Sequence, residues 1–158
     1  MFREMRRKRQ ALSAEETASV LYRGMSGVLA LAGDDGYPYA VPVSYVYDGD
    51  KICFHCAKSG HKLDAIQRNA KASFCVIDQD QIIPEEYTTY FRSVIVFGQI
   101  RVLDDEQAKR IAIKKLAIKY SPEDTAAGWK TLCMLEMSID HMTGKEAIEL
   151  VKNKQQEG

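Results

Sequence analysis

The sequence predicts a small, mainly β domain with flanking helices, built as a six-stranded antiparallel barrel. Three observations carry this. Six runs rich in Val, Ile, Tyr and Phe follow one another along 158 residues, with three or four helical segments between or beside them. Two of these runs, 39–47 and 51–57, are separated only by Asp48-Gly49-Asp50, a turn that only antiparallel neighbours allow. No glycine-rich dinucleotide fingerprint follows any strand, which argues against a doubly wound parallel sheet.

The elements follow in order. Ser13 and Glu16 have capping-box spacing, and Ala14, Thr17, Ala18, Leu21, Tyr22 and Met25 fall on one helical face. Gly24 and Gly27 end that helix, and "GVLALAG" reads as the first strand before the "DDGYP" turn. "YAVPVSYVY" reads as one long second strand, in which Pro42 marks a bulge or an edge because it has no N–H to give a ladder. "KICFHCA" is the third strand, followed by a helix ending near Asn69, and "KASFCVI" is the fourth. The polar stretch "DQDQIIPEE" reads as a loop, and "YTTYFRSVIVFGQIRVL" as the longest strand, bending at Gly98. Asp104 is the expected cap of a helix with Ala108, Ile111, Ala112, Leu116 and Tyr120 on its face. A short helix restarts at Ser121-Pro122, "TLCMLEMSI" is the sixth strand, and residues 143–158 form a tail with some helical period. A single domain over 1–158 is expected, with a basic arm at 1–12.

Composition narrows the function classes. Lys+Arg and Asp+Glu balance at 22 each, so nothing pulls the whole chain toward nucleic acid or membrane. The local exception is the arm, where Arg3, Arg6, Arg7, Lys8 and Arg9 face only Glu4; it reads as a solvated tail or as a strap near an anionic ligand or a partner subunit. No run approaches the roughly 20 apolar residues of a membrane span, and no apolar segment follows the basic start. A cytoplasmic protein is therefore expected. Its four cysteines, Cys53, Cys56, Cys75 and Cys133, read as small core or pocket residues in a reducing compartment.

The chemistry concentrates in "FHCAKSGHKLDAI", residues 54–66. Metal binding is disfavoured, because Cys53 and Cys56 stand three apart on a strand and point to opposite faces, with no second ligand pair. A Cys53–His55 nucleophile pair shares a face but lacks any recognisable oxyanion hole or orienting carboxylate. Anion binding fits best: the Ser59-Gly60 turn opens a helix whose first N–H groups have no intrahelical partner, with His61 and Lys62 adding positive charge. The bland alternative is an ordinary solvent-facing helix start, and His55 alone reads more naturally as a packed strand histidine. Arg92, beside Ser93 in an apolar run, needs a partner: a phosphate, or a carboxylate across the sheet.

These pieces together resemble the pyridoxamine-phosphate-oxidase-like flavoproteins, the FMN-binding split barrels, and among them the nitroimidazole-resistance proteins. The matching segments are "MRRKRQ", "GYPYAVPVSYVY", "FHCAKSGHKLDAI" with "RNAKASFCV", "FRSVIVFGQIRVL" and "MSIDHMTGKE", in order over residues 5–147. Each is loose alone; their order and spacing give the match its specificity. The resemblance implies a six-stranded split barrel, a homodimer, and one FMN in each of two clefts between subunits.

The same resemblance assigns the site. His55, Cys56, Ala57, Gly60, His61 and Lys62 would hold the phosphate and ribityl chain, with Lys62 the main cation. His61 stands where oxidase relatives often carry Arg. Pro42 and Val43 would lie by the isoalloxazine edge, and Ser93 and Val94, next to Arg92, would contact it from the fifth strand. Trp129, the sole tryptophan, is expected at the shared interface. His55 would be the proton donor. The implied activity is FMN-dependent reduction of a small electron-poor compound such as a nitroimidazole, with NADH or NADPH as donor. A non-catalytic flavin or haem carrier is the main alternative. Pyridoxamine phosphate oxidation is secondary, because the arginine-rich C-terminal substrate segment of the true oxidases has no counterpart here.

Overall fold

The computed structural model describes residues 1–120 and 132–157. Its strands are β1 (Ser26–Ala32), β2 (Pro38–Ser44), β3 (Val46–Tyr47), β4 (Lys51–Cys56), β5 (Lys71–Ile83), β6 (Thr88–Val102) and β7 (Cys133–Glu146). Its helices are α1 (Ala14–Arg23), α2 (His61–Arg68), α3 (Glu106–Tyr120) and α4 (Ile148–Glu157). The strands form one antiparallel sheet in the order β2-β1-β5-β6-β7-β4-β3.

The expected count of six strands becomes seven, and the reason is Tyr45. The run 39–47 does not stay on one neighbour: residues up to Ser44 pair with β1, whereas Val46 and Tyr47 pair with β4. Those are the two opposite edges of the sheet, so the sheet curls until its ends are joined through a single residue. No ladder closes it among the described residues, so it is an open, curled sheet rather than a closed barrel.

Tyr45 sits at the switch with its backbone outside any ladder, and burying an unpaired peptide group is costly. The end of α3 satisfies it. The Tyr45 N–H donates to Tyr120 Oη at 3.0 Å, and Lys119 Nζ donates to the Tyr45 carbonyl at 3.1 Å and also to the Gly24 carbonyl. Tyr120 Oη also lies in hydrogen-bond reach of the carbonyls of Tyr45 and Met25. The Tyr45 side chain is fully buried, donates to the Leu21 carbonyl at 2.7 Å and meets Phe74 edge-on. Burial pushes the Tyr45 hydroxyl far up and the Lys119 ammonium down.

Period-two burial fills the sheet interior with Leu29, Leu31, Phe74, Val76, Val94, Val96, Leu135 and Met137, closed by Val20 and Leu21 of α1. The Ser13 cap forms as expected, accepting from the Glu16 N–H at 3.1 Å. On α1, however, Val20 is buried while Tyr22 is exposed, and Met25 lies beyond the helix end, also exposed. A smaller cluster of Cys53, Leu103, Ala112, Ile113, Leu116 and Met134 lies under α3. That helix is capped by Asp105, which accepts from the Ala108 N–H at 2.8 Å, one residue beyond the expected Asp104.

Pro42 does lie on an edge strand. Gly98 lies at a register shift between β6 and β7, where a Cβ would come within 1.9 Å of the Ser138 carbonyl oxygen. The stretch 78–86 departs from expectation over most of its length: β5 continues to Ile83 and pairs with β6 as far as Ile83↔Thr88, and only the turn at Pro84–Glu86 lies outside the strands. The arm is strapped down at its end, with Gln10 buried and donating to the Glu146 carbonyl at 3.0 Å, and Ala11 bridged to Lys145. No helix among the described residues is long and apolar enough to cross a membrane.

Candidate functional site

Strand β4 sorts its side chains by alternation. Ile52, Phe54 and Cys56 enter the main core, and Cys53 goes to the other face beneath α3. His55 shares that outer face, opposite Met134 of β7, and is exposed; its ring makes no hydrogen bond to any described residue. Burial, aided by the nearby charges of Glu136 and Asp48, pushes the Cys53 thiol up to about 11, so it is no ready nucleophile.

The chain then leaves the sheet through Ala57, Lys58, Ser59 and Gly60, all exposed. Gly60 has φ 137°, a backbone region that non-glycine residues rarely adopt, while a Cβ there would meet nothing within 4 Å. Glycine is thus required by conformation, and the space above it is open. No side chain among the described residues caps the start of α2, so its first N–H groups keep their donor capacity for an external acceptor. Lys62 is half-buried, and its ammonium finds no carboxylate among the described residues. Its charge acts on the neighbouring Cys56 thiol.

His61 is held differently. Its ring stacks on Tyr39 with centroids 3.9 Å apart, and its Nε2 lies 3.8 Å from Asp34 Oδ2. Asp34 also takes Arg68 at 2.7 Å, so the turn at Asp34–Gly36 grips both ends of α2. Tyr39, Asp34 and Arg68 were not singled out from the sequence. The alternation of 39–47 puts Tyr39 among the large odd-numbered side chains, which is the signal that could have found it. Pro42, exposed, and Val43, half-buried against the core, lie on the same strand as Tyr39, three and four residues on.

Arg92 has the other fate that its sequence left open. It donates through Nε to Glu146 at 2.9 Å and through one terminal nitrogen to Asp78 at 3.0 Å. Asp78 also receives a fork from Arg23, both bonds 2.7 Å, and Glu146 receives Lys154 at 2.7 Å. The Arg23 hydrogen bond, with that of Arg92, holds the Asp78 carboxyl below the ordinary carboxylate range against the opposing effect of burial. Val94 is fully buried in the core, so its side chain is closed to any external ligand. Ser93 is half-buried and paired with Ile77 and Lys145. Trp129 lies outside the described residues.

These positions divide into two groups. Cys56 pairs with Cys133 at the start of β7, whereas Ser93 pairs with Lys145 near its end. The two ends are separated by about 40 Å of extended strand, less what the curl and the bulge remove. The structure therefore sets the residues from His55 to Lys62 toward one end of β7 and Arg92, Ser93 and Val94 toward the other, while Pro42, opposite Val28 of β1, is carried in register through Cys75 to Ile95, with Val43 beside it.

Comparison with known proteins gives the same fold. The family described as "Pyridoxamine 5'-phosphate oxidase" matches residues 13–146. Among solved structures, a protein assigned to 5-nitroimidazole antibiotic resistance from Bacteroides thetaiotaomicron superposes with a TM-score of 0.76 at 19% identity, covering 86% of each chain. An FAD-binding protein from Mesorhizobium loti superposes at 0.69 and 26% identity, covering 87% of this chain and 97% of its own. An FAD and haem binding protein from Mycobacterium smegmatis gives 0.74 at 24% identity, covering 88% of this chain and 73% of its own. No curated protein matches the chain.

Proposed function

The chain belongs to the pyridoxamine 5'-phosphate oxidase family, and from that premise we propose that it binds FMN in a cleft between two copies of itself and uses it to reduce a small electron-poor compound such as a nitroimidazole. The observation that carries the reading is Lys62: a half-buried residue whose ammonium has no counter-charge among the described residues, beside an uncapped helix start that opens at Gly60. A phosphate supplies what both lack, because it accepts from the free N–H groups and neutralises the cation.

FMN, when bound, would supply the two-electron chemistry, with NADH or NADPH as the source. The chain's residues bind and orient. The 57–62 turn holds the phosphate end, and the β2 backbone at Pro42 and Val43 meets the ring edge. Ser93 is too far along β7 from Cys56 to serve the same ligand in one chain, so a homodimer in which a second copy presents Ser93 fits the division of the site. The exposed apolar side chains Val28, Ile95 and Phe97 on the outer sheet face give that second copy a surface to cover.

His55 is assigned the proton delivery: its imidazole is exposed on the outer face of β4, and histidine is the side chain most often used to pass a proton to a reacting group. The rival reading is a flavin carrier without turnover. It is favoured by one observation, that no described residue hydrogen-bonds the His55 ring to fix its orientation. The two separate in an anaerobic stopped-flow experiment, with prereduced protein mixed against a nitroimidazole. His55→Ala should retain FMN and slow reoxidation by roughly 10²–10⁴. A rate equal to wild type would leave His55 a bystander, whereas failure of the wild type itself to be reoxidised would favour the carrier.

A further inference from the structure

Cys56 ends β4 and Cys133 begins β7, and the ladder sets them directly opposite each other. Directly opposed residues of antiparallel strands have Cα atoms about 4.5–5.5 Å apart. That lies inside the range of about 4.4–6.8 Å that a disulfide spans. Both cysteines are free and each is 8% exposed. Directly opposed residues send their side chains to the same face, and both cysteines join the same core cluster. The other two cysteines have no such partner. Cys53 faces Val46 and Glu136, and Cys75 faces Val28 and Ile95.

We propose that Cys56 and Cys133 are a reversible dithiol–disulfide pair, oxidised by exchange with a low-molecular-weight disulfide, at the junction where β4 passes into the turn before α2. One cysteine thiolate attacks a sulfur of the small disulfide, breaking its S–S bond and releasing one small thiol. The second cysteine, as thiolate, then attacks the protein-bound sulfur, forming the Cys56–Cys133 bond and releasing the other small thiol. Two electrons pass from the protein to the small disulfide. The two protons lost by the cysteines end on the two thiols released. Oxidation ties the last residue of β4, directly before Ala57, to the first residue of β7.

The environment sets the rate. Burial and the facing Cys133 push the Cys56 thiol up to about 12, opposed by the Lys62 charge. Exchange requires the thiolate, so it is slow at neutral pH and accelerates about tenfold per pH unit while the thiol form dominates. The inference is independent of the flavin reading, since the pair exists in the chain alone.

The test incubates the wild-type protein, without added flavin, in excess oxidised glutathione at two pH values. Alkylation of remaining thiols, digestion and mass spectrometry follow. The expected product is one peptide pair linked Cys56–Cys133, lighter by two hydrogens and restored by dithiothreitol, with Cys53 and Cys75 unlinked. A Cys53→Ser, Cys75→Ser double variant should give the same link, at a rate rising with pH. Recovery of Cys56 and Cys133 as alkylated thiols from folded protein would overturn the proposal. So would a stable glutathione adduct on either, or a link to another cysteine.

Discussion

Lys62 and Arg92 are the two cations that the sequence singles out as phosphate partners, and the fold treats them in opposite ways. Arg92 stands between two carboxylates, Asp78 and Glu146, which are themselves held by Arg23 and Lys154. Its charge is answered within the chain, and the cluster ties α1, β5, β6, β7 and α4 together. Lys62 is half-buried with no carboxylate beside it among the described residues, next to backbone donors that no described side chain caps. A cation whose counter-charges are built in serves the fold. One left without them keeps its capacity for something outside the chain.

This contrast can be broken first at Glu146, whose side chain is 4% exposed and receives both Arg92 and Lys154. Removing Glu146 takes one of two carboxylates from both Arg92, which keeps Asp78, and Lys154, which keeps Glu16, so Glu146→Ala should cost about 1.5–3 kcal/mol of stability. Urea unfolding measures it. A loss below about 1 kcal/mol, the range of exposed ion pairs, would make the cluster a surface feature and remove the contrast.

A smaller effect sharpens the same point through pH. The carboxyl of Asp78 titrates lower in the folded chain than its unfolded value near 3.9. Its contribution is therefore fully present above that value and is lost as pH falls through the folded-state value. Asp78→Asn should melt lower than wild type at pH 6, and the gap should narrow as the pH drops below about 3.9. A gap that stays constant down to pH 2.5 would show that the two arginines do not act on the Asp78 charge.

What was legible in the sequence was local. The two faces of β4 follow from period two, so the sorting of Ile52, Phe54 and Cys56 from Cys53 and His55 could be read from six residues. The α2 start at Gly60 could be read from its turn. The break at Tyr45 could not, because it depends on which distant strands form the sheet edges and on Lys119 and Tyr120 arriving from α3. The partners of Arg92 lie 14 and 54 residues away, and nothing in the run around Arg92 announces them. The extension of β5 through "DQDQII" was hidden for a different reason. Ile77 and Ile82 are exposed there alongside polar neighbours, so the hydrophobic alternation that marks a half-buried strand is missing.

The central claim is that the Lys62 end binds a phosphate-bearing flavin, and comparison of FMN with riboflavin tests it most directly, since the two differ only by the phosphate. Titration of the flavin-free protein should give FMN an advantage of roughly ten- to hundredfold, the equivalent of a charge-assisted bond of about 1.5–3 kcal/mol. In Lys62→Ala the advantage should shrink by about that factor with the melting temperature unchanged. Equal affinity for the two flavins in wild type, or an undiminished preference for FMN in Lys62→Ala, would contradict the account.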